Sequence, residues 1–206
     1  MNEKPYFITI EGIEGVGKTT LSRLVGEYLS AKGCVNELTR EPGGTYTAEV
    51  IRTLLKDPDH SIDAYTELLL MFASRSHHIT HYIKPKLANG ISVISDRFVD
   101  ASYAYQGGGR GVSMDAIRYL DQMICSSLTP DLTVLVTCPA DIAMQRVITR
   151  AEKIDRIEQE RVDFFERAQE AYLSLATNDR YFILDGSMPL QQVKASLIAE
   201  LDKRFA

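Results

Sequence analysis

Cysteine is scarce in this chain. Cys34, Cys125 and Cys138 stand far apart with no C-x-x-C pair, so neither a disulfide framework nor a zinc site is expected. Long apolar runs are missing too: nothing approaches the ~20 residues a membrane-spanning helix needs. A strand pattern begins within the first few residues, so no leader peptide is expected. Positive charge is in short supply, with 23 Lys and Arg against 28 Asp and Glu and a net charge of −5. That balance argues against a nucleic-acid coat and against a polybasic membrane anchor. Repeats, low-complexity tracts and linkers are also lacking. What remains is a single cytoplasmic α/β domain over residues 1–206, long enough for a central sheet with helices on both faces.

The chain is organised around its first forty residues. Phe7 to Ile10 reads as a buried strand, and Leu21, Leu24, Val25, Tyr28 and Leu29 recur at helical spacing. Between them, Gly12 to Thr19 fits G-x-x-x-x-G-K-[ST], in the strand–loop–helix setting that this phosphate-binding motif requires. Gly12, Gly15 and Gly17 allow backbone N–H groups to turn toward an anion, and the positive end of the following helix faces the same phosphates. Lys18 would reach the β- and γ-phosphates, and the Thr19 hydroxyl would sit on Mg²⁺. Gly12, Ile13, Glu14, Gly15, Val16, Gly17, Lys18, Thr19 and Thr20 therefore form the expected ATP loop.

Further strands are expected at 35–39, 91–95, 132–137 and 181–184, alternating with helices. Gly33 stops the first helix, and Thr45 or Thr47 caps one running through Leu55. Ile62 to about Tyr82 is a long helix, and Pro85 suits the first turn of a short one ending at Asn89-Gly90. Gly107 to Gly111 is too glycine-rich for a helix interior, so Ala101 to Gln106 should end in a flexible loop. Ser113 caps a helix to about Ser127. Another runs from Ala140 into the charged segment Arg146 to Glu160, one follows to about Thr177, and Pro189 opens the last. The alternation predicts a doubly wound five-stranded parallel sheet with its site at the carboxyl ends of the strands.

A phosphate loop alone does not separate kinases, GTPases and ATPases. The base-reading Asn/Thr-Lys-x-Asp of a GTPase is absent; Glu152-Lys153-Ile154-Asp155 has the wrong first residue. Arg40, Arg97, Arg110, Arg146, Arg150 and Arg156 lie at strand ends and in loops, as binding of a second phosphorylated substrate would require. Arg118, Arg161 and Arg180 read as solvated surface charge.

The blocks Glu11-Gly12-x-Glu14-Gly15-x-Gly17-Lys18-Thr19, Thr39-Arg40-Glu41-Pro42-Gly43-Gly44-Thr45, Asp96-Arg97, Ala104-Tyr105-Gln106-Gly107 and Asp155-Arg156-Ile157-Glu158 share one order and spacing with bacterial thymidylate kinases. The chain resembles that family over nearly its whole length. The resemblance implies ATP-dependent phosphorylation of dTMP to dTDP for dTTP synthesis, with Mg²⁺. The alternatives are another nucleoside monophosphate kinase or an ATP-binding switch.

It further implies an acceptor region over about 40–82 and 96–111 and an arginine-bearing lid over about 146–160. Glu14 would meet the sugar 3′-hydroxyl, and Arg97 would bridge donor and acceptor phosphates. Asp96 would hold the metal with Thr19. Pro42 and Arg52 would reach dTMP, Arg75 a thymine carbonyl, Ser102 and Gln106 the base edge, and Tyr105 the sugar face where a 2′-hydroxyl would project. The family's stacking aromatic sits four residues before the base-reading arginine; here Met71 holds that place and Phe72 follows, and both can share the face. Lys18, Arg97, Arg150 and Arg156 are the expected catalytic residues, with Arg146 packing on adenine. Asp155 and Glu158 would pair with lid arginines until ATP displaces them. His77, His78 and His81 read as solvated or supporting residues. A homodimer through apolar helices is implied as well, and Leu68-Leu69-Leu70-Met71 allows it.

Overall fold

The computed structural model describes residues 4–125, 128–150 and 154–205. Its five strands are β1 (Phe7–Glu11), β2 (Asn36–Arg40), β3 (Ser92–Asp96), β4 (Leu132–Thr137) and β5 (Tyr181–Asp185). They lie in the order β2-β3-β1-β4-β5, and every pairing is parallel. The helices among the described residues are α1 (Lys18–Ala31), α2 (Tyr46–Lys56), α3 (Ala64–His78), α4 (Lys84–Ala88), α5 (Val99–Ser102), α6 (Met114–Ile124), α7 (Ala140–Arg150), α8 (Val162–Leu175) and α9 (Leu190–Phe205). None of them is long and apolar enough to cross a membrane.

β1 is buried along its whole length and serves both faces of the sheet by strict alternation. Phe7, with Val93 of β3, packs against Leu68, Phe72, Ile79 and Ile83. Ile8 and Ile10, with Ile94, turn the other way into a cluster with Leu21, Val25, Leu29, Val193 and Leu197. Each such side chain contributes about 1.5–3 kcal/mol of transfer free energy. The consequence for function is positional, because β1 and β3 are neighbours in register. The ladder continues past their ends, Arg97 N–H donating to Ile10 O (3.0 Å) and Glu41 N–H to Asp96 O (2.9 Å). The phosphate loop and Asp96-Arg97 are thereby brought together at the carboxyl edge.

Local signals set most boundaries. Gly33 N–H donates to Ser30 O and Cys34 N–H to Leu29 O, the paired bonds that end a helix after its C-cap. Thr45, not Thr47, caps α2 by accepting from Ala48 N–H at 3.3 Å. Ser113 stands at the N-cap of α6 without a side-chain bond, and α6 ends at Ile124; Ser127 lies outside the described residues.

Two expectations are corrected. The long helix over 62–82 is α3 followed by a π-helical stretch, Ile79–Ile83, that runs straight into α4. The glycine run is not a loop: Tyr103–Gly109 is a second π-helical stretch. The reason is close packing on α8. A Cβ on Gly108 would stand 2.7 Å from Ala171 Cβ and Arg167 O, and one on Gly109 would stand 2.4 Å from the Phe164 ring. Here glycine serves approach between helices, and tertiary contact overrides its weak helix propensity.

Candidate active site

A cavity of about 880 Å³ opens at the carboxyl edge of the sheet, with the phosphate loop at one end and β2, α2 and α3 at the other. The loop is held from behind. There is no space for a side chain: a Cβ on Gly12 would come within 2.3 Å of Val136 O, and one on Gly15 within 2.0 Å of Ala143 O. Ile13 and Val16 are core residues, so they can offer a ligand only backbone groups. Gly15, Gly17, Lys18, Thr19 and Thr20 line the cavity with Glu14. Lys18 is nearly buried; its Nζ donates to Ile13 O (2.8 Å) and lies 3.4 Å from Glu14 Oε2. Burial, with Arg97 adding repulsion, lowers its pKa. Burial alone would raise that of Glu14, but Lys18 and Arg97 outweigh it and hold the carboxylate well below its usual range. The Thr19 hydroxyl donates to Asp96 Oδ2 at 3.1 Å, joining the two expected metal ligands across the loop.

Arg97 occupies the middle of the cavity wall at φ 76°, a left-handed conformation unusual for a side chain of this size. Such a residue costs of order 1–3 kcal/mol and persists only where its surroundings hold it. Nη1 donates to Gly12 O (2.8 Å) and the Tyr172 hydroxyl (3.0 Å), and Nη2 to the Tyr105 hydroxyl (2.8 Å). Glu14 Oε1 lies 3.2 Å from Nη2, and the Tyr105 ring lies 4.6 Å from the guanidinium carbon. The Tyr172 hydroxyl in turn donates to Glu11 Oε2 (2.9 Å), while Glu11 Oε1 accepts from Phe98 N–H (2.7 Å). Burial, reinforced by the Asp100 charge, pushes the Glu11 carboxyl up to about 8. Sequence reasoning gave Glu11 no role, although a lone carboxylate ending an apolar strand was the signal.

At the far end Arg52 lines the cavity, its Nη1 donating to Pro42 O at 2.8 Å, and Pro42 follows a cis peptide bond. Arg40 lies beside it, paired with Glu49 at 3.1 Å. Met71, Tyr105 and Gln106 also face the cavity.

Three expected contacts are corrected. Phe72 is a core residue beneath the Arg75 guanidinium, 4.8 Å from ring to carbon, and Met71 is the one that faces the cavity. Arg75 and Ser102 are both 0% exposed and stand one layer behind the wall. Arg75 donates to Glu41 Oε2 (2.7 Å), Ser102 Oγ (2.9 Å) and Phe98 O (2.9 Å). Glu41 stays ionised because Arg75 and His78 outweigh its burial and lower its pKa. Side chains at i and i+3 share a helix face, so the rotation of α3 that buries Phe72 buries Arg75 with it. Of the two roles expected for the histidines, His78 takes the supporting one: it is fully buried, 3.0 Å from Glu41 and 2.8 Å from the Thr39 hydroxyl. Among the described residues no His, Cys, Asp and Glu gather as a metal cluster.

The lid arginines separate. Arg146 donates to Gly186 O (3.0 Å), beside the phosphate loop, but does not line the cavity. Arg150 does line it, 60% exposed and paired, among the described residues, with Glu158 (2.9 Å). Residues 151–153 lie outside the described residues. Arg156 is turned away from the loop: Nε donates to Leu55 O (2.9 Å) and Nη2 to Glu67 Oε2 (2.6 Å). Asp155 pairs with Lys56 (2.6 Å) instead of an arginine. Arg180, read as surface charge, is partly buried and paired with Asp100 at 3.1 Å. Glu67, which accepts from Gln106, Arg110 and Arg156, was missed altogether; nothing in an apolar helix pattern marks one carboxylate as a hub.

A family model described as thymidylate kinase matches residues 10–197. A thymidylate kinase of Chromohalobacter salexigens is 46% identical over 204 residues, covering 97% of this chain and 96% of its own length. One of Ectopseudomonas mendocina is 47% identical, with 95% and 94% covered. One of Neisseria meningitidis is 42% identical, with 98% of each covered.

Proposed function

The chain belongs to the thymidylate kinase family, and from that premise we propose that its cavity holds ATP and dTMP end to end and transfers the γ-phosphoryl group to the dTMP phosphate, giving dTDP and ADP. The observation that carries the reading is the position of Arg97. It stands between the phosphate loop and the Arg52 end of one continuous cavity, held there at a backbone conformation that costs free energy. Two anionic phosphates must approach closely for transfer, and a fixed guanidinium between them offsets the repulsion.

In this reading Lys18 and the loop N–H groups hold the donor phosphates, and the dTMP phosphate lies toward Arg52 and Arg40. Tyr105 supports Arg97 through its hydroxyl and lies along the sugar. Glu14, ionised and between Lys18 and Arg97, accepts from the 3′-hydroxyl. Arg150 is the lid arginine able to swing to the γ-phosphate, since its own side chain is mostly exposed and, among the described residues, is held by a single ion pair to Glu158. Arg156 instead anchors the lid to the acceptor wall.

Thr19 and Asp96 fit Mg²⁺, which characteristically takes one or two protein oxygens and completes its shell with water and phosphate. When bound, the ion neutralises charge on the transferring phosphates. Apolar side chains exposed on two neighbouring helices, Tyr65 and Leu69 of α3 and Tyr119 and Met123 of α6, support a homodimer. Leu68 and Met71 are otherwise engaged, in the core and on the cavity. A cytoplasmic location accords with dTTP synthesis. Steady-state phosphoryl transfer with ATP and dTMP, dUMP, UMP or AMP tests the proposal. Preference for dTMP supports it, and absence of dTMP turnover, or preference for UMP or AMP, overturns it.

A further inference from the structure

We infer that Glu67 decides which base the cavity accepts, by fixing the orientation of the Gln106 side-chain amide. The inference rests on the reading that this end of the cavity receives the acceptor base. Glu67 lies on α3 with 1% of its surface exposed, at the edge of the cavity beside Met71 and Gln106. Its carboxylate is filled by donors. Oε1 accepts from Gln106 Nε2 (2.9 Å) and Arg110 Nε (3.3 Å), and Oε2 accepts from Arg156 Nη2 (2.6 Å). Burial would raise its pKa, but Gln106, Arg110 and Arg156 together lower it, so the group is an anion at neutral pH.

An ionised carboxylate can only accept hydrogen bonds. Facing it, the Gln106 amide must present its NH₂ group, because the opposite orientation would set two oxygens against each other. The carbonyl Oε1 is then left over. Gln106 is 2% exposed, its Oε1 is buried and has no hydrogen-bond partner among the described residues, and the residue lines the cavity. A buried acceptor in that position calls for a ligand N–H. The N3–H of thymine or uracil supplies one; N3 of cytosine is a bare acceptor and would meet the carbonyl lone pair to lone pair. An unconstrained amide could rotate to serve either base. Glu67 removes that freedom, and Arg110 and Arg156 hold Glu67 in place from two directions. Arg110 is itself ion-paired to Glu160, and Arg156 is bonded to Leu55 O. Glu67 therefore acts through Gln106 as a positioning residue, and its effect appears as discrimination between bases.

Calorimetric dissociation constants for dTMP and dCMP, measured on the wild-type chain, Glu67→Gln, Glu67→Asp and Arg156→Ala, test this. A site built around one hydrogen bond rejects a ligand lacking the donor by about 10²-fold or more. Wild type should show that preference. Glu67→Gln and Glu67→Asp should each shrink it at least ~10-fold, because the amide can then turn. Arg156→Ala removes a partner of Glu67 but keeps its bond to Gln106, so both affinities can fall while their ratio holds. An unchanged ratio in folded Glu67 variants, or an equal loss of ratio in Arg156→Ala, overturns the inference.

Should both Glu67 variants fail to fold, the Gln106 NH₂ resonances of the wild type decide. They should stay near their free-state positions when dTMP binds, since that group faces Glu67 throughout. A large shift with slowed exchange would place the NH₂ on the ligand and overturn the idea. Wild type that binds dTMP and dCMP equally also overturns it while leaving phosphoryl transfer intact, and wild type that binds no dTMP removes both this inference and the reading beneath it.

Discussion

The two ends of the cavity are built by different means. At the phosphate end the ligand meets main chain: a loop pinned by β4 and α7, with Ile13 and Val16 sunk into the core and only Lys18, Thr19, Thr20 and Glu14 offering side-chain groups. At the acceptor end it meets side chains carried by α2, α3, β2 and the stretch after α5, with Arg40 and Gln106 held by carboxylates and Arg52 by the Pro42 carbonyl. Backbone placement tolerates change in most side chains and fails at glycine. A side-chain wall fails wherever one member of a charge pair is lost, because the partner stays buried without compensation. Arg97 belongs to both, with one nitrogen on the loop carbonyl of Gly12 and the other on Tyr105.

Lys18→Ala should separate the ends most sharply. Turnover is expected to vanish while thermal unfolding and dTMP affinity stay near wild type, because among the described residues the Lys18 side chain bonds within its own loop. Turnover near the wild-type rate would remove the loop from the mechanism. The next contrast is within the lid. Arg150→Ala should cut kcat roughly 10²- to 10⁴-fold, as loss of a transition-state arginine does. Arg156→Ala should act mainly through dTMP affinity, since that guanidinium is bound to the acceptor wall. The opposite split of kcat and KM between the two variants would return Arg156 to the phosphates.

Arg75→Ala probes the acceptor wall. The Arg75–Glu41 pair is fully buried, so removing one partner should cost about 3–5 kcal/mol of stability, read by denaturant unfolding. Loss of dTMP affinity with unchanged stability would instead make Arg75 a direct base contact. A subtler contrast lies at Tyr105, which should favour dTMP over its ribose analogue by filling the space of a 2′-hydroxyl. Tyr105→Ala is expected to narrow the ratio of kcat/KM values, whereas Tyr105→Phe keeps the ring and should hold the ratio while lowering kcat through the lost bond to Arg97.

A further contrast lies in pH dependence. Glu11 has its folded pKa raised to about 8 from the ordinary carboxylate value of 4.5, so between those values the folded chain binds more protons than the unfolded one. Stability should therefore fall as pH rises across that window. Glu11→Gln, which keeps an oxygen for Phe98 N–H, should flatten the slope; an unchanged slope would assign it to other groups.

The phosphate end was readable from sequence because its parts are contiguous: eight residues, a strand before and a helix after. The acceptor wall was readable only as a set of residues and not as an arrangement. Met71 and Phe72 differ by one step of about 100° around α3, and no local pattern says which of them faces inward. The same rotation took Arg75 behind the wall and brought Glu67 to its edge. Gly108 and Gly109 misled for a related reason, since their fit against Phe164, Arg167 and Ala171 depends on a helix more than fifty residues later in the chain. Lid pairing was half legible. Arg150 with Glu158 follows from sequence proximity, but Arg156 with Glu67 spans 89 positions.

If Arg97 joins the two ends during transfer, single-turnover formation of dTDP by Arg97→Ala reports that role with nothing in between. With saturating ATP and dTMP, and binding of each verified separately, the transfer rate should fall by on the order of 10³ with both nucleotides still bound. A wild-type transfer rate accompanied only by weaker dTMP binding would contradict it, and would leave Arg97 as a ground-state anchor.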